Sequence, residues 1–321
     1  MASDFLPACT LFDPAAAREF ENDPNTLALI RFGSPPKAAD EAAPWIDSGL
    51  ELLGGRAIQA WRVATPVEHG RMGPFAVHLA QRLGMLATPF PDSEDPETAA
   101  FELYSGLLST ARQLDLPHIL RIWQYLPRIN ASLGDEDRYR AFCAGRGRAL
   151  EAEHRGHDAL PAACLLGNDS DRILLYALIA SRPGRQIENP RQQSAFRYPP
   201  RYGRKSPSFS RATAAGNGKG ERLFISGTSS ITGHASRHGK TLEQLAETIK
   251  NLEALLERWQ GSPASLAAIA PMKVYLRRAA DLDDVRGALD SRLPAGHPVT
   301  YLRADVCRPE LNIEIEGIVQ P

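Results

Sequence analysis

A chain of 321 residues, 43 % of them hydrophobic, can bury a substantial core, and its length favours two domains. A formal charge of −1 and a pI near 6.7 exclude bulk charge as a route to nucleic acid, so any anion site must come from a local cluster of cations. No apolar run approaches the ~18 residues of a membrane helix, Met1-Ala2-Ser3-Asp4 opens no leader peptide, and the scattered Cys9, Cys143, Cys164 and Cys307 form no CxxC pair; a reducing cytoplasm fits, and a disulfide framework or structural zinc does not.

The first 94 residues carry two strand patterns, 26–32 (TLALIRF) and 55–63 (GRAIQAWRV), with connections at Ser34-Pro35-Pro36 and 89–96. Asp95-Pro96-Glu97 then starts a helix: Asp95 caps, Pro96 suits the first turn and Glu97 complements the dipole. Phe101, Tyr104, Leu107, Leu108 and Ala111 mark its apolar face. A strand follows at 118–126, a helix at 135–152 with Tyr139, Phe142 and Cys143 on one side, and strands at 162–166 and 172–180 joined by a turn. Residues 182–220 are rich in Arg, Pro, Ser and Gly; aromatics interleaved with cations over 196–211 argue for a functional loop over a solvated linker.

The last hundred residues repeat that order. A strand at 222–230 precedes a helix opened by a capping box, Thr241 with Gln244, then a strand at 272–277, a helix at 282–292 and a final pair of strands. Tyr125-Leu126 and Tyr275-Leu276 occupy equivalent places, and aligning the last strands sets Leu174 opposite Glu314. The fold expected is α+β, with two related halves, each a mixed sheet backed by two helices. The divisions are 1–181, a basic segment 182–220, and 221–321. Residues 301–310 and 311–320 read as a C-terminal hairpin with Cys307 and Glu314 near its closed end. Ile313, Ile315 and Ile318 suit a core, and Glu314 and Glu316 share the other face, where they are either solvated or functional.

None of the common catalytic signatures is present. His154 with His157 and His234 with His238 have metal-compatible spacings but no supporting ligands, so no metal is expected. The small residues of 227–234 (GTSSITGH) follow a strand directly and allow close approach to the backbone. Arg197, Arg201, Arg204, Lys205 and Arg211 in one loop, Arg138, Arg140, Arg146 and Arg148 in one helix, and Arg277 at a strand end are candidates for holding a small dicarboxylate.

The segments RYRAFCAGRGRAL, YPPRYGRKSPSFSRA, LFISGTSSITGHASRH, KNLEALL, KVYLR, ADVCRPEL and NIEIEG together resemble the chorismatase family from about residue 95 to the end. The C-terminal unit is also similar to the RidA (YjgF) fold, whose last strand reads (V/I)EIE-A/G. The resemblance implies two RidA-like halves and release of pyruvate from the enol ether of chorismate. Glu314 would protonate the enol methylene, which requires it to be held protonated near neutral pH. Cys307, seven residues before the acid as in the hydroxybenzoate-forming type, is either catalytic or packing beside a turn. Ser229, followed by Ser230 where a glycine pattern marks strict 3-hydroxybenzoate formation, points to the branch giving both 3- and 4-hydroxybenzoate. Arg146, Tyr198, Tyr202, Arg204 and Arg277 would bind substrate, and Tyr301, where RidA proteins place a carboxylate-binding arginine, would line the pocket. No cofactor, nucleic acid or membrane is implied, and a monomer or a small homo-oligomer is compatible. Rival readings are a hydrolase giving a dihydroxycyclohexadiene carboxylate, a RidA-like deaminase, and a non-catalytic sensor of small acids.

Overall fold

The computed structural model describes residues 6–33, 44–154 and 156–321; the expected connection Ser34-Pro35-Pro36 and the Met1–Asp4 start lie outside them. The first long helix, Pro96–Gln113, begins as its sequence dictates, with the Asp95 carboxylate accepting from the backbone N–H of Glu97 and Thr98 at 3.1 Å. Tyr104, Leu107, Leu108 and Ala111 are buried on its inner face. It packs against the helix Arg138–Ala152 at Gly145, where a Cβ would lie 1.9 Å from the Glu97 carbonyl oxygen.

The sheet beneath has the strand order Ala162–Asn168, His118–Pro127, Arg172–Ala180, Leu83–Pro91, Phe75–Ala80, Glu68–Met72. The C-terminal sheet repeats it as Val299–Arg303, Met272–Leu276, Ile313–Val319, Arg222–Thr228, Ala212–Ala215, Arg185–Ile187. In each, the first pair is parallel and the others antiparallel. Helices Thr241–Gln260 and Leu282–Asp290 back the second sheet as the earlier two back the first. Register confirms the internal alignment, since Leu174 faces Tyr125 as Glu314 faces Tyr275.

Several expectations are corrected. The last two strands are not a hairpin: Ile313–Val319 lies between Arg222–Thr228 and Met272–Leu276, and Val299–Arg303 pairs in parallel beyond the latter. A strand buried on both faces belongs in the middle of a sheet. Ile313, Ile315 and Val319 face the helices, whereas Ile318 shares the Glu314 face, turned toward the other sheets. Both glutamates are buried, Glu314 to 5 % exposure and Glu316 to 1 %.

Residues 89–91 continue a strand. Their prolines are tolerated because the neighbouring Phe75–Ala80 ladder has already ended at Ala87. Thr241 and Gln244 form no capping box, since Lys240 occupies the cap. Thr241 instead donates to Asp281 at 2.7 Å, and the Gln244 amide binds the Glu310 carbonyl and the Asn312 N–H. The basic segment contributes the strands Arg185–Ile187 and Ala212–Ala215 to the C-terminal sheet.

The N-terminal region forms a third, four-stranded sheet ordered Ala8–Phe12, Ile58–Arg62, Thr26–Arg31, Trp45–Asp47, and lends Glu51–Gly55 to the C-terminal one. Its Trp61 meets Trp123 and Phe224 in a core shared by all three sheets.

Candidate active site

The edge strand Ala162–Asn168 crosses the C-terminal sheet, its Ala162 and Ala163 N–H donating to Thr213 Oγ1 (2.7 Å) and Ser226 Oγ (2.9 Å). A cavity opens beside this crossing. Glu314 and Gly227 form its floor, Tyr139 and Arg146 of the helix Arg138–Ala152 one wall, and Cys307 and Arg308 another; Tyr198, Phe209 and Arg211 of the basic segment close it.

Glu314 lies flat against the neighbouring strand. A Cβ at Gly227 would sit 1.8 Å from its Oε1, so only glycine leaves room for the carboxyl. Burial pushes Glu314 up to about 7, opposed by the Ser229 contact and the charges of Arg121 and Arg211. Ser229 Oγ lies 2.9 Å from the Ile313 carbonyl oxygen and 3.3 Å from Glu314 Oε2. A hydroxyl has one proton to give, and the nearer carbonyl takes it. Bonded to that carbonyl, the serine gives the Glu314 carboxylate only a long contact, and burial prevails over it.

Three buried arginines face this acid, and among the described residues none has a carboxylate partner. Each keeps one buried nitrogen without an acceptor: Nε of Arg146, Nε of Arg211 and Nη2 of Arg308. Their other contacts hold them in place. Arg211 Nη2 donates to Tyr198 Oη at 2.7 Å and to the Gln193 carbonyl at 2.8 Å. Arg308 donates from Nη1 to the His234 carbonyl (2.9 Å) and Ser236 Oγ (3.0 Å), and stacks 4.1 Å from the Tyr202 ring centroid. An unsatisfied buried guanidinium nitrogen is costly, and three such side chains lining one cavity suit an anionic ligand. Cys307 sits beside them as a neutral thiol, pushed up to about 12 by burial and by Glu314.

Of the residues singled out in the sequence, Glu314, Cys307, Arg146, Tyr198 and Ser229 line one cavity, and Tyr202 stands behind Arg308. Three do not reach it. Arg204 is half-exposed and pairs with Glu97 (2.8 Å) and Glu136 on the outer surface. Arg277 is consumed by the turn that follows its strand partner. Tyr301 registers with Val274 and, through it, with Ile315, so it faces the helices with Arg286 over its ring. Sequence reasoning missed Arg308, although it adjoins Cys307, and counted Arg211 only as one of many cations. Tyr139 passed as an apolar helix residue. The histidines serve other contacts: His157 stacks on Phe196, His234 meets Tyr202 at 3.3 Å, and His238 approaches Glu247 at 3.8 Å.

Residues 59–179 match the family model for the N-terminal part of FkbO/Hyg5-like chorismatases. The chain is 32 % identical over 327 residues to a chorismatase of Streptomyces hygroscopicus, covering 98 % of this chain and 94 % of that one. It is 31 % identical over 275 residues to a 3-hydroxybenzoate synthase of the same organism, covering 81 % of each. A chorismatase crystal structure superposes on 99 % of this chain and 100 % of its own, with TM-score 0.90 and 30 % identity. Similarity at this level runs through both halves and the cavity between them, and the protein is therefore an enzyme of the chorismatase family.

Proposed function

We propose that the enzyme cleaves the enolpyruvyl ether of chorismate to pyruvate and 3-hydroxybenzoate, with 4-hydroxybenzoate as a second product, and that Glu314 delivers the proton. The observation that carries this reading is a buried acid held near 7 beside three arginines with free N–H groups. Chorismate is a dianion with two separated carboxylates, which suits guanidinium donors drawn from different elements. Proton transfer inside the site leaves its net charge unchanged, because the carboxylate created on Glu314 is matched by the oxocarbenium ion created on the substrate. Before that, the bound dianion offsets the arginines and helps Glu314 keep its proton.

Protonating the terminal methylene converts it to a methyl group and leaves an oxocarbenium ion at the ether-bearing carbon. The ionised Glu314 then faces this cation in a cavity largely closed to water. The oxygen of the ring's own 4-hydroxyl bonds to the adjacent ring carbon that carries the ether, the bond from that carbon to the ether oxygen breaks with its electron pair leaving on pyruvate, and the hydroxyl proton goes to Glu314. Rearrangement of the ring yields hydroxybenzoate. Pyruvate and hydroxybenzoate together have the composition of chorismate, so no water is consumed and the proton lent by Glu314 is returned. Cys307, uncharged at neutral pH, would steer the partition between isomers by its shape and S–H.

Incubation with chorismate, with products separated by chromatography and identified by mass spectrometry, tests this reading. Pyruvate with 3-hydroxybenzoate, accompanied by 4-hydroxybenzoate, is expected. Glu314→Gln should lose turnover by at least ~100-fold with an unchanged circular dichroism spectrum. A non-aromatic diol would overturn the internal nucleophile, and an active Gln variant would overturn the acid.

A further inference from the structure

Residues 304–312 form neither helix nor strand, yet they deliver Cys307 and Arg308 to the cavity wall. What organises this turn is the guanidinium of Arg277. Its Nε donates to the Leu311 carbonyl at 2.8 Å. Nη1 donates to Asn130 Oδ1 at 3.0 Å and Asp305 Oδ1 at 2.8 Å. Nη2 donates to the carbonyls of Val306 at 2.9 Å and Arg308 at 3.0 Å. A guanidinium has five N–H donors, so every one is committed and none remains for substrate. From the other half, Asn130 Nδ2 reaches the Val306 and Cys307 carbonyls at 3.2 and 3.3 Å, and the Gly167 N–H binds the Asp305 carbonyl at 2.7 Å.

We propose that Arg277 is a positioning residue: it folds the 305–311 turn so that the free N–H of Arg308 and the Cys307 thiol face Glu314, and it does not itself touch substrate. The inference rests on the cavity being the chorismate site. The planar fork is what allows one side chain to span acceptors along seven residues of chain, from Asp305 to Leu311. A lysine would keep the charge beside Asp305 but has a single nitrogen that cannot reach the Leu311, Val306 and Arg308 carbonyls together. The turn would then relax, moving Arg308 away from a substrate carboxylate and Cys307 away from the reacting ring.

Arg277→Lys is therefore expected to raise KM roughly tenfold with a much smaller change in kcat, and to alter the 3-/4-hydroxybenzoate ratio. Asn130→Ala, which removes the opposing pair of bonds from the same turn, should move both readouts in the same direction and by less, and it serves if the lysine variant does not fold. A third readout is independent of turnover: the rate at which a thiol reagent labels Cys307, followed by peptide mass spectrometry, should rise about tenfold in Arg277→Lys while the labelling of Cys9 stays unchanged. Wild-type KM, product ratio and Cys307 labelling in both variants would overturn the proposal. If the unmodified enzyme leaves chorismate intact, the functional reading fails, and the labelling rates still decide whether Arg277 holds the turn.

Discussion

Glu314 is a carboxyl group whose protonation is controlled by packing more than by charge. The Gly227 backbone on one side and Ser229 on the other take it out of water, and no cation bonds it directly among the described residues. In the proton-donor role proposed for it, Glu314 acts only while protonated, so kcat/KM should be flat at mildly acidic pH and fall as pH rises through about 7. A pH profile at fixed ionic strength checks this, and an activity that instead rose through that range would make Glu314 a base. The same shift has a stability consequence. A carboxyl raised from 4.5 to about 7 on folding favours the folded state fully below 4.5, and that contribution is lost as pH climbs toward 7. Glu314→Gln escapes the loss. It should be more stable than wild type at pH 8, by up to about 3 kcal/mol, and no more stable at pH 4, as urea titrations at the two pH values would show.

The basic segment is read best as an element with two faces. Inward it presents Tyr198, Phe209 and Arg211 to the cavity. Outward, Arg204 pairs with Glu97 and Glu136, and Lys205 with Glu151 at 2.6 Å, fastening it to the two helices of the N-terminal half. Exposed pairs of this type contribute little to global stability, about 0.2–1 kcal/mol each, and salt screens them. Their effect is therefore expected on access to the cavity. Arg204→Ala should raise KM a few-fold at low salt with an unchanged melting temperature, and added salt should raise the wild-type KM more steeply than that of the variant. Equal salt slopes would remove the clamp from consideration.

The interleaving of aromatics with cations set this segment apart from a plain linker in the sequence, and its Tyr198, Phe209 and Arg211 line the cavity. Which cation turns inward was not legible there, because a segment without periodicity carries no face. On strands the period of two tells more: it put Glu314 and Glu316 on one face and, through the Tyr125/Tyr275 repeat, gave the correct match of Leu174 to Glu314. It could not reveal what covers that face, since another sheet and solvent leave the same alternation. Tyr301 was misplaced for a related reason, as its face depends on register across an intervening strand.

At the scale of the molecule, the two halves and the N-terminal sheet close on one interior, and its polar centre is Glu316. That carboxylate accepts from Arg121 and Trp123 Nε1 (2.9 Å) of one half and from Lys273 and Tyr275 Oη (2.7 Å) of the other. Close by, the Tyr125 and Tyr275 hydroxyls meet at 3.2 Å, joining the equivalent tyrosines of the two repeats. Two cations share one carboxylate here, all of them at most 3 % exposed, and burial together with Arg121 pushes Lys273 down to about 7. Removing the carboxylate leaves buried positive charge uncompensated, whereas removing the lysine leaves a balanced Arg121–Glu316 pair. Glu316→Ala should therefore cost about 3–5 kcal/mol, and Lys273→Met, of similar volume, far less. Because the cluster belongs to the seam and not to either half, the loss should lower the midpoint of a single cooperative transition. Far-ultraviolet circular dichroism and the fluorescence of the buried Trp61 and Trp123 should trace coincident urea curves in wild type and in both variants. Separated curves in Glu316→Ala would mean that the halves fold as independent units and that the seam is only a contact between them.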